Sequence, residues 1–243
     1  TGCMVKRYKE ELQNELPEVD HWIDLKDFDQ LTHILNLPSD DLKRSILTPK
    51  YYAYLRISDG CNNHCSYCAI PSIRGSLCSE TMESLLNQAK DLAKQGVKEL
   101  IINAQDTTQY GTDLYQKQSL IPLLQKIHEI EGFQWIRLLY LHPAHLTIEM
   151  IDEIAKMPKI CHYFDIPLQH INDEILTAMN RKTTKAHIIS LINHIRKVMP
   201  DAVIRTTFIT GFPGEDVKKF NELLTFIKET RFDKLGAFAY SPE

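Results

Sequence analysis

Three of the six cysteines in the 243-residue sequence fall within eight positions, at Cys61, Cys65 and Cys68. Cysteine thiolates are the ligands that iron–sulfur clusters prefer, and four of them would complete the coordination of a [4Fe–4S] cluster. Three thiolates leave one iron without a protein ligand, and that iron can bind a small molecule. The spacing C-x3-C-x2-C therefore predicts a [4Fe–4S] cluster with one open iron, held by a single loop.

A zinc site is the alternative for this motif, because His64 lies between the first two cysteines. Structural zinc sites combine two pairs of ligands, and no second Cys or His pair with ligand spacing follows downstream. The cluster interpretation is favoured, and a non-catalytic, zinc-stabilised binding module stays open as a remote possibility at this point.

Strand-like and helix-like segments alternate from residue 50 to residue 240. The predicted strands are 52–58, 99–104, 134–141, 162–167, 202–210 and 234–240. The segments between them repeat apolar residues every 3.6 positions, which is typical of amphipathic helices. We predict these helices from about Ser79, over 119–131, after an N-cap at Thr147, over 173–199 and around 217–227. Six such units predict a parallel sheet curled into a partial (β/α)6 barrel, since a closed barrel needs eight.

Candidate binding residues follow the predicted strands, where active sites form in folds of this kind. Gln105 follows the second strand, Gln169 the fourth and Gly211 the fifth. The two amides can meet a cofactor or substrate at the mouth, and Gly211 lets backbone approach a ligand closely. A plain turn at Gln105, a structural amide at Gln169 and a strand-to-helix turn at Gly211 remain alternatives.

Composition narrows the class of protein. The net charge of −4 gives no sign of a basic face for nucleic acid, although a local patch can be hidden in the average, and no apolar run approaches the roughly 20 residues that span a bilayer. Scattered cysteines and a metal motif favour a reducing cytoplasm over a secreted disulfide scaffold. Residues 1–47 differ in sequence pattern from residues 48–243. We predict a helix over 7–16, a strand over 20–25 and a helix over 27–35, followed by a linker over 38–49.

The cysteine motif, with Tyr67 before its last cysteine, resembles that of the radical S-adenosylmethionine (SAM) superfamily. Segments further along the chain resemble the methylthiotransferases within it: residues 68–75, 165–170, 179–181 and 210–215. The resemblance implies that SAM binds the open iron and is cleaved reductively. It also implies that Tyr67 lies by the SAM adenine and that Arg74, Arg137, Arg181 and Arg205 are candidates for binding a carboxylate.

Within the methylthiotransferases, parts of this sequence resemble the branch that adds a methylthio group to the β-carbon of an aspartate in small-subunit ribosomal protein S-twelve. Residues 69–74, 163–167 and 238–243 carry this likeness. A branch that modifies tRNA adenosines is the alternative. The favoured branch implies ribosomal protein S-twelve as partner, an electron donor such as flavodoxin or ferredoxin, and no direct role for nucleic acid.

The family also implies a second [4Fe–4S] cluster in an N-terminal α/β domain, and Cys3 matches the third of its three cysteine ligands. We expect 1–47 to be the end of that domain, 48–243 to be the radical SAM core, and a small β-barrel domain to lie beyond residue 243. Full turnover by residues 1–243 alone is therefore not expected.

Overall fold

Parallel strands form the framework of the protein, as the alternation of strands and helices predicts. The computed structural model describes residues 2–24, 27–36 and 45–242. The strands in these ranges are β1 (Tyr52–Arg56), β2 (Ser58–Asp59), β3 (Cys78–Ser79), β4 (Glu99–Asn103), β5 (Trp135–Leu138), β6 (Tyr163–Asp165), β7 (Val203–Thr210) and β8 (Lys234–Ala239). The β2–β3 pair is a short antiparallel hairpin, and the other strands run parallel to their neighbours.

The parallel strands stand in chain order, β1-β4-β5 followed by β6-β7-β8. A parallel bridge between Ile136 and Ile160 joins the two groups just before β6 begins. All carboxyl ends of these strands therefore meet at one edge. The predicted partial (β/α)6 barrel is confirmed, and its mouth is that edge.

Amphipathic helices cover the outside of the sheet. In chain order the helices of the described ranges are α1 (Cys3–Glu15), α2 (Phe28–Ile34), α3 (Ile70–Arg74), α4 (Met82–Lys94), α5 (Leu120–His128), α6 (Ile148–Ala155), α7 (Asp173–Ala178), α8 (Lys185–Val198) and α9 (Val217–Thr230). Leu85 and Leu92 on α4 and Leu123 on α5 are buried against the strands, and each such leucine stabilises the fold by about 1.5–3 kcal/mol. None of the described helices is long and apolar enough to cross a membrane.

Two helix predictions need correction. The helix expected from about Ser79 begins at Met82, because Ser79 pairs with Ser58 and donates from its backbone to Asp113 at 2.7 Å. The Thr81 hydroxyl then caps α4. The segment 173–199 is divided into α7 and α8, and between them Asn180 takes a left-handed conformation with φ +54°. The predicted cap at Thr147 is confirmed, since its hydroxyl accepts from the Met150 amide at 3.2 Å.

The N-terminal segment contains the two predicted helices, α1 and α2, although α1 already begins at Cys3. The strand predicted over 20–25 is wrong for residues 20–24, which have no regular structure, and Leu25 lies outside the described residues. A strand needs a partner strand to pair with. Most of the predicted linker, residues 38–44, also lies outside the described residues. α1 packs against α3, which follows the cysteine motif.

Candidate functional site

The cysteine loop leaves the β2–β3 hairpin through a tight turn at Gly60. Gly60 has φ +71°, and a Cβ there would lie 2.2 Å from the backbone oxygen of Ser76. The Cys61 amide donates to the Gly75 oxygen at 3.1 Å, and Arg74 pairs with Asp59 at 3.1 Å. The turn therefore needs glycine, and it fixes where the first cysteine begins.

The end of α7 holds the middle of the cysteine loop. The Ser66 amide donates to the Met179 oxygen at 3.1 Å, and the Asn180 side-chain amide donates to the His64 oxygen at 2.7 Å. The Ser66 hydroxyl adds a bond to the Ala178 oxygen at 2.9 Å. We call residues 178–181 the α7 clamp, because they fix a loop that is more than a hundred positions away in the sequence.

Arg181, the last residue of the clamp, lies next to Cys65 and Tyr67 of the cysteine loop. Its Nη1 donates to the Tyr67 hydroxyl at 3.2 Å and lies 3.8 Å from Cys65 Sγ, while Nη2 donates to the Pro167 oxygen. Burial raises the pKa of the Tyr67 phenol, and the nearby Arg181 opposes this without reversing it. Tyr67 therefore stays protonated beside the Cys65 sulfur.

A cavity of about 370 Å³ opens at the carboxyl ends of the strands. It brings together six of the eight residues predicted to bind a cluster or SAM: Cys61, Cys65, Tyr67, Cys68, Gln105 and Gln169. The described lining also contains Asn63, Ile70, Tyr140, His142, Pro167, Arg181, Arg205, Thr207 and Phe238. Gly211 and Cys3 lie outside this lining.

Several buried polar atoms of the lining have no hydrogen-bond partner within the described protein: Gln105 Oε1, His142 Nε2, Gln169 Oε1 and Arg181 Nε. Buried polar groups are almost always paired, so these atoms indicate a polar ligand. Gln169 also has φ +70°, and its backbone is held there by bonds to Thr207 and Ile209 at 2.8 Å. Strained conformations of this kind cluster at functional sites.

Asn63 connects the cysteine loop to two neighbouring strand ends. Its side-chain amide donates to Asp106 Oδ2 at 2.8 Å, which leaves its oxygen to accept from His145 Nε2 at 2.9 Å. The direction of the Asn63 amide therefore puts a proton on His145 Nε2. Asp106 begins the loop after β4, and His145 follows β5, so the network spans adjacent β/α units.

His142 completes a group with Asp106 and His145 whose ligand atoms lie within 4.8 Å of one another. Its Nδ1 accepts from the Ala144 amide at 3.2 Å. Since Nδ1 is an acceptor, the proton of the neutral ring is on Nε2. With Nε2 protonated on both histidines, these atoms act as donors, and the group fits a hydrogen-bonded network.

The cysteines suit a cluster better than one zinc ion. Tetrahedral zinc with bonds of about 2.3 Å needs sulfurs roughly 3.8 Å apart. Among the described residues, the side chains grouped closely enough to hold a single metal ion are those of Asp106, His142 and His145, and neither the three cysteines nor His64 belong to that group. A [4Fe–4S] cluster does not need the sulfurs to share one ion, because each cysteine binds a different iron. Burial raises the pKa of the Cys61 thiol. The backbone amide of Asn63 partly offsets this rise by donating to the Cys61 sulfur at 3.4 Å.

Gly211 and Cys3 have local partners instead. The Gly211 amide donates to Glu215, whose other oxygen accepts from His170 Nε2 at 3.1 Å. This network shapes the loop after β7. Cys3, at the start of α1, lies near Arg74: burial lowers the pKa of the Arg74 guanidinium, and Cys3 and Asp59 outweigh this and raise it. Arg74 pairs with Asp59 in the hairpin that precedes Cys61.

Sequence reasoning missed three residues that position the cysteines. Gly60 lies between a strand and Cys61, and a glycine at the end of a strand is a sequence signal for a turn. Asn63 lies inside the motif, but asparagine is common in loops and its partners are distant. His145 gave no signal, because only the fold brings it to the cysteine loop.

Similarity searches agree with this geometry. The family described as "Radical SAM superfamily" matches residues 55–227. Among solved structures, the radical SAM methyltransferase TsrM from Kitasatospora setae aligns with 81% of this chain and 40% of its own, at 16% identity and a TM-score of 0.64. HemN from Escherichia coli, a coproporphyrinogen III oxidase, aligns with 77% of this chain and 43% of its own, at 20% identity and a TM-score of 0.53. These structures support the fold.

Curated relatives are more similar in sequence. Proteins named "Ribosomal protein uS12 methylthiotransferase RimO" from Alkaliphilus oremlandii and Clostridioides difficile are each 48% identical over all of this chain and 58% of their own lengths. The protein of that name from Thermotoga maritima is 45% identical over all of the chain and 59% of its length. The chain thus spans about three fifths of the length of these relatives.

Proposed function

The chain belongs to the radical SAM superfamily, and from this premise we propose that it is the core of a methylthiotransferase acting on ribosomal protein uS12. The reaction adds a methylthio group to the β-carbon of an aspartate. The observation that carries the enzymatic part is that three cysteines of one loop face a cavity with unpaired polar atoms at the barrel mouth. The substrate rests on the relatives at 45–48% identity.

Cys61, Cys65 and Cys68 hold a [4Fe–4S] cluster in this proposal, and SAM occupies the rest of the cavity. When bound, the cluster and SAM supply reductive cleavage of SAM to methionine and a 5′-deoxyadenosyl radical. Tyr67 lies against the SAM adenine, and Gln105 and Gln169 use their unpaired amide oxygens to bind SAM.

Gly211 belongs to the SAM site through the loop after β7, where its backbone leaves room for the adenine. A Cβ at Gly211 would meet no atom within 4 Å, so this side of the loop is open space. Its amide is held by Glu215, and Glu215 is held by His170. The loop is therefore fixed before SAM enters, which lowers the entropy cost of binding.

Cys3 is the third ligand of a second [4Fe–4S] cluster, which serves the sulfur transfer. Cys3 lies near Arg74, and Arg74 pairs with Asp59 in the hairpin that precedes Cys61. We assign residues 1–47 to the end of the domain that holds this cluster and 48–243 to the radical SAM core. A small β-barrel domain in the rest of the protein completes the substrate site.

The remaining partners follow from the reaction. Reductive cleavage needs an electron donor such as flavodoxin or ferredoxin. A ribosomal protein substrate places the enzyme in the cytoplasm, away from any membrane, and gives nucleic acid no direct role.

The test uses the full-length protein, loaded anaerobically with iron and sulfide, together with uS12, SAM and reductant. We expect mass spectrometry to find the mass of one added methylthio group on an aspartate of uS12. Cys65→Ala should abolish the product, whereas Cys78→Ala should retain it, because Cys78 lies exposed in β3 away from the cavity lining. A parallel reaction with tRNA in place of uS12 that yields a methylthio group on tRNA, with none on uS12, would refute the proposed substrate.

A further inference from the structure

One aromatic residue of the cavity lining has a strained backbone. Tyr140 follows the end of β5 by two residues and takes a left-handed conformation with φ +57°. This conformation is unfavourable for a bulky side chain, whereas glycine adopts it readily. Among the described non-glycine residues with a positive φ, Tyr140 is the only aromatic one, and only Tyr140 and Gln169 line the cavity.

Buried partners hold the Tyr140 backbone on both sides. Its amide donates to Asp165 Oδ2 at 3.2 Å, and its oxygen accepts from the Thr107 amide at 3.1 Å. Asp165 is 3% exposed and Thr107 is fully buried, so close packing keeps both partners in place. Arg205 Nη1 donates to the same Asp165 oxygen at 3.4 Å. Residues from β6 and from the loop after β4 therefore impose the strained conformation.

The Tyr140 side chain has no specific partner inside the described protein. It is 46% exposed, and within the described ranges it makes no hydrogen bond, ring stacking or cation–π contact. A tyrosine that serves stability is usually buried, with its hydroxyl paired. Strain without such packing is typical of residues that act on a ligand. The ring is therefore held in position for a molecule that enters the cavity.

The proposed adenine site lies at another part of the strand edge. It is formed by Tyr67 and by the loop after β7 that contains Gly211. β6 lies between β5 and β7, so the ends of these two strands are roughly 10 Å apart. A protein substrate, in contrast, must come from solvent to the mouth of the cavity, where the exposed ring of Tyr140 lies.

We propose that Tyr140 is a substrate-contacting residue, whose ring packs against the segment of uS12 that carries the modified aspartate. This deepens the proposed function and rests on it. Tyrosine gives a large apolar contact with few rotatable bonds, and it is enriched among the residues that dominate binding at protein interfaces. Because the backbone of Tyr140 is fixed before the substrate arrives, binding requires little reorganisation.

The experiment measures the binding of uS12 and of SAM separately. Full-length, cluster-loaded, unreduced protein is titrated into fluorescently labelled uS12 by anisotropy, and SAM affinity is measured by equilibrium dialysis. Tyr140→Gly removes both the ring and the strain, Tyr140→Ala removes the ring alone, and Tyr140→Phe keeps the ring. Trp135→Ala is the matched control, because Trp135 is 52% exposed at the start of the same strand and does not line the cavity.

We expect Tyr140→Gly and Tyr140→Ala to weaken uS12 binding by roughly tenfold, since truncation of a dominant interface tyrosine has effects of this size. Tyr140→Phe and Trp135→Ala should stay within about twofold of wild type, as should the SAM affinity of every variant. Tyr140→Gly should unfold at a higher urea concentration than Tyr140→Ala, because glycine relieves the left-handed strain. Equal losses of binding in two variants of different stability separate a contact from a folding defect.

Two results would overturn the assignment while leaving the proposed function intact. In the first, SAM affinity falls by the same factor as uS12 affinity, so the ring belongs to the SAM site. In the second, Tyr140→Gly binds uS12 as tightly as wild type. If wild-type protein binds tRNA and does not bind uS12, the proposed substrate itself is wrong, and the assignment of Tyr140 falls with it.

Discussion

Arg181 Nη1 lies 3.8 Å from Cys65 Sγ and donates to the Tyr67 hydroxyl at 3.2 Å. A permanent positive charge thus lies beside one ligand of the cysteine motif, on a side chain that is almost fully buried. Hydrogen bonds and charges at ligand sulfurs raise the reduction potential of an iron–sulfur cluster, because they stabilise its more negative reduced form.

We predict that Arg181→Leu lowers the midpoint potential of the cluster by about 20–60 mV. One hydrogen bond contributes about 0.5–1.5 kcal/mol, and 59 mV is a factor of ten for one electron. Arg181→Lys should recover much of the loss because it keeps the charge. Redox titration followed by electron paramagnetic resonance measures the shift. Arg196→Leu is the control, since Arg196 bonds to the Thr230 and Arg231 oxygens elsewhere; an unchanged potential in Arg181→Leu would contradict the prediction.

Gly60→Ala should disrupt the cysteine loop. The new Cβ would lie 2.2 Å from the Ser76 oxygen, and φ is +71°. Gly96→Ala is the matched control, because Gly96 has φ +90° and open space around it. We expect the control to cost about 1–2 kcal/mol for the left-handed backbone, and Gly60→Ala to cost more and to lose iron. Urea unfolding and iron analysis measure both, and equal losses in the two variants would argue against a steric role.

The cysteine ligands can be tested by metal content. The reconstituted chain should hold roughly four iron and four sulfide per molecule at the cysteine loop. Cys65→Ala should lose most of this, because one of the protein's bonds to the cluster is removed, whereas Cys161→Ala should behave as wild type. Full iron and sulfide in Cys65→Ala, or zinc without sulfide in the wild type, would be incompatible with the assignment.

His142 should make stability depend on pH. Burial, helped by Arg181 and His145, lowers the pKa of His142 from 6.5 to about 2. As pH falls below 6.5, the unfolded chain therefore binds a proton that the folded protein does not. The folded state should lose up to about 1.4 kcal/mol per pH unit from this residue.

His142→Gln removes this contribution, so its unfolding free energy should fall less steeply between pH 7 and pH 4 than that of wild type. Urea denaturation at several pH values gives both slopes, and groups common to the two proteins cancel in the difference. Parallel profiles would mean that His142 is not held neutral by the fold.

The order of strands and the location of the site could be predicted from local patterns. The period of apolar residues gives each β/α unit, and in a parallel sheet every strand delivers its following residue to the same edge. Cys61, Gln105 and Gln169 therefore meet although 108 positions separate the first from the last. The β2–β3 hairpin escaped prediction because strands of two residues are too short to show a period.

The contacts that orient the site could not be predicted, because they join residues far apart in sequence. Asn63 reaches Asp106 over 43 positions and His145 over 82. Amides, carboxylates and imidazoles of this kind occur in loops throughout the chain. Their pairing depends on the curvature of the sheet, which local periodicity does not specify.

The α7 clamp has a consequence for how the protein is made. Asn180 binds a loop residue, His64, that is synthesised 116 residues earlier. At 5–20 residues per second, this interval lasts roughly 6–23 s. During that time the nascent chain carries three cysteines whose loop has not yet reached its final shape. Cluster insertion into the finished loop therefore follows synthesis of residue 181, and a ribosome stalled before residue 178 would present these thiols to oxidants.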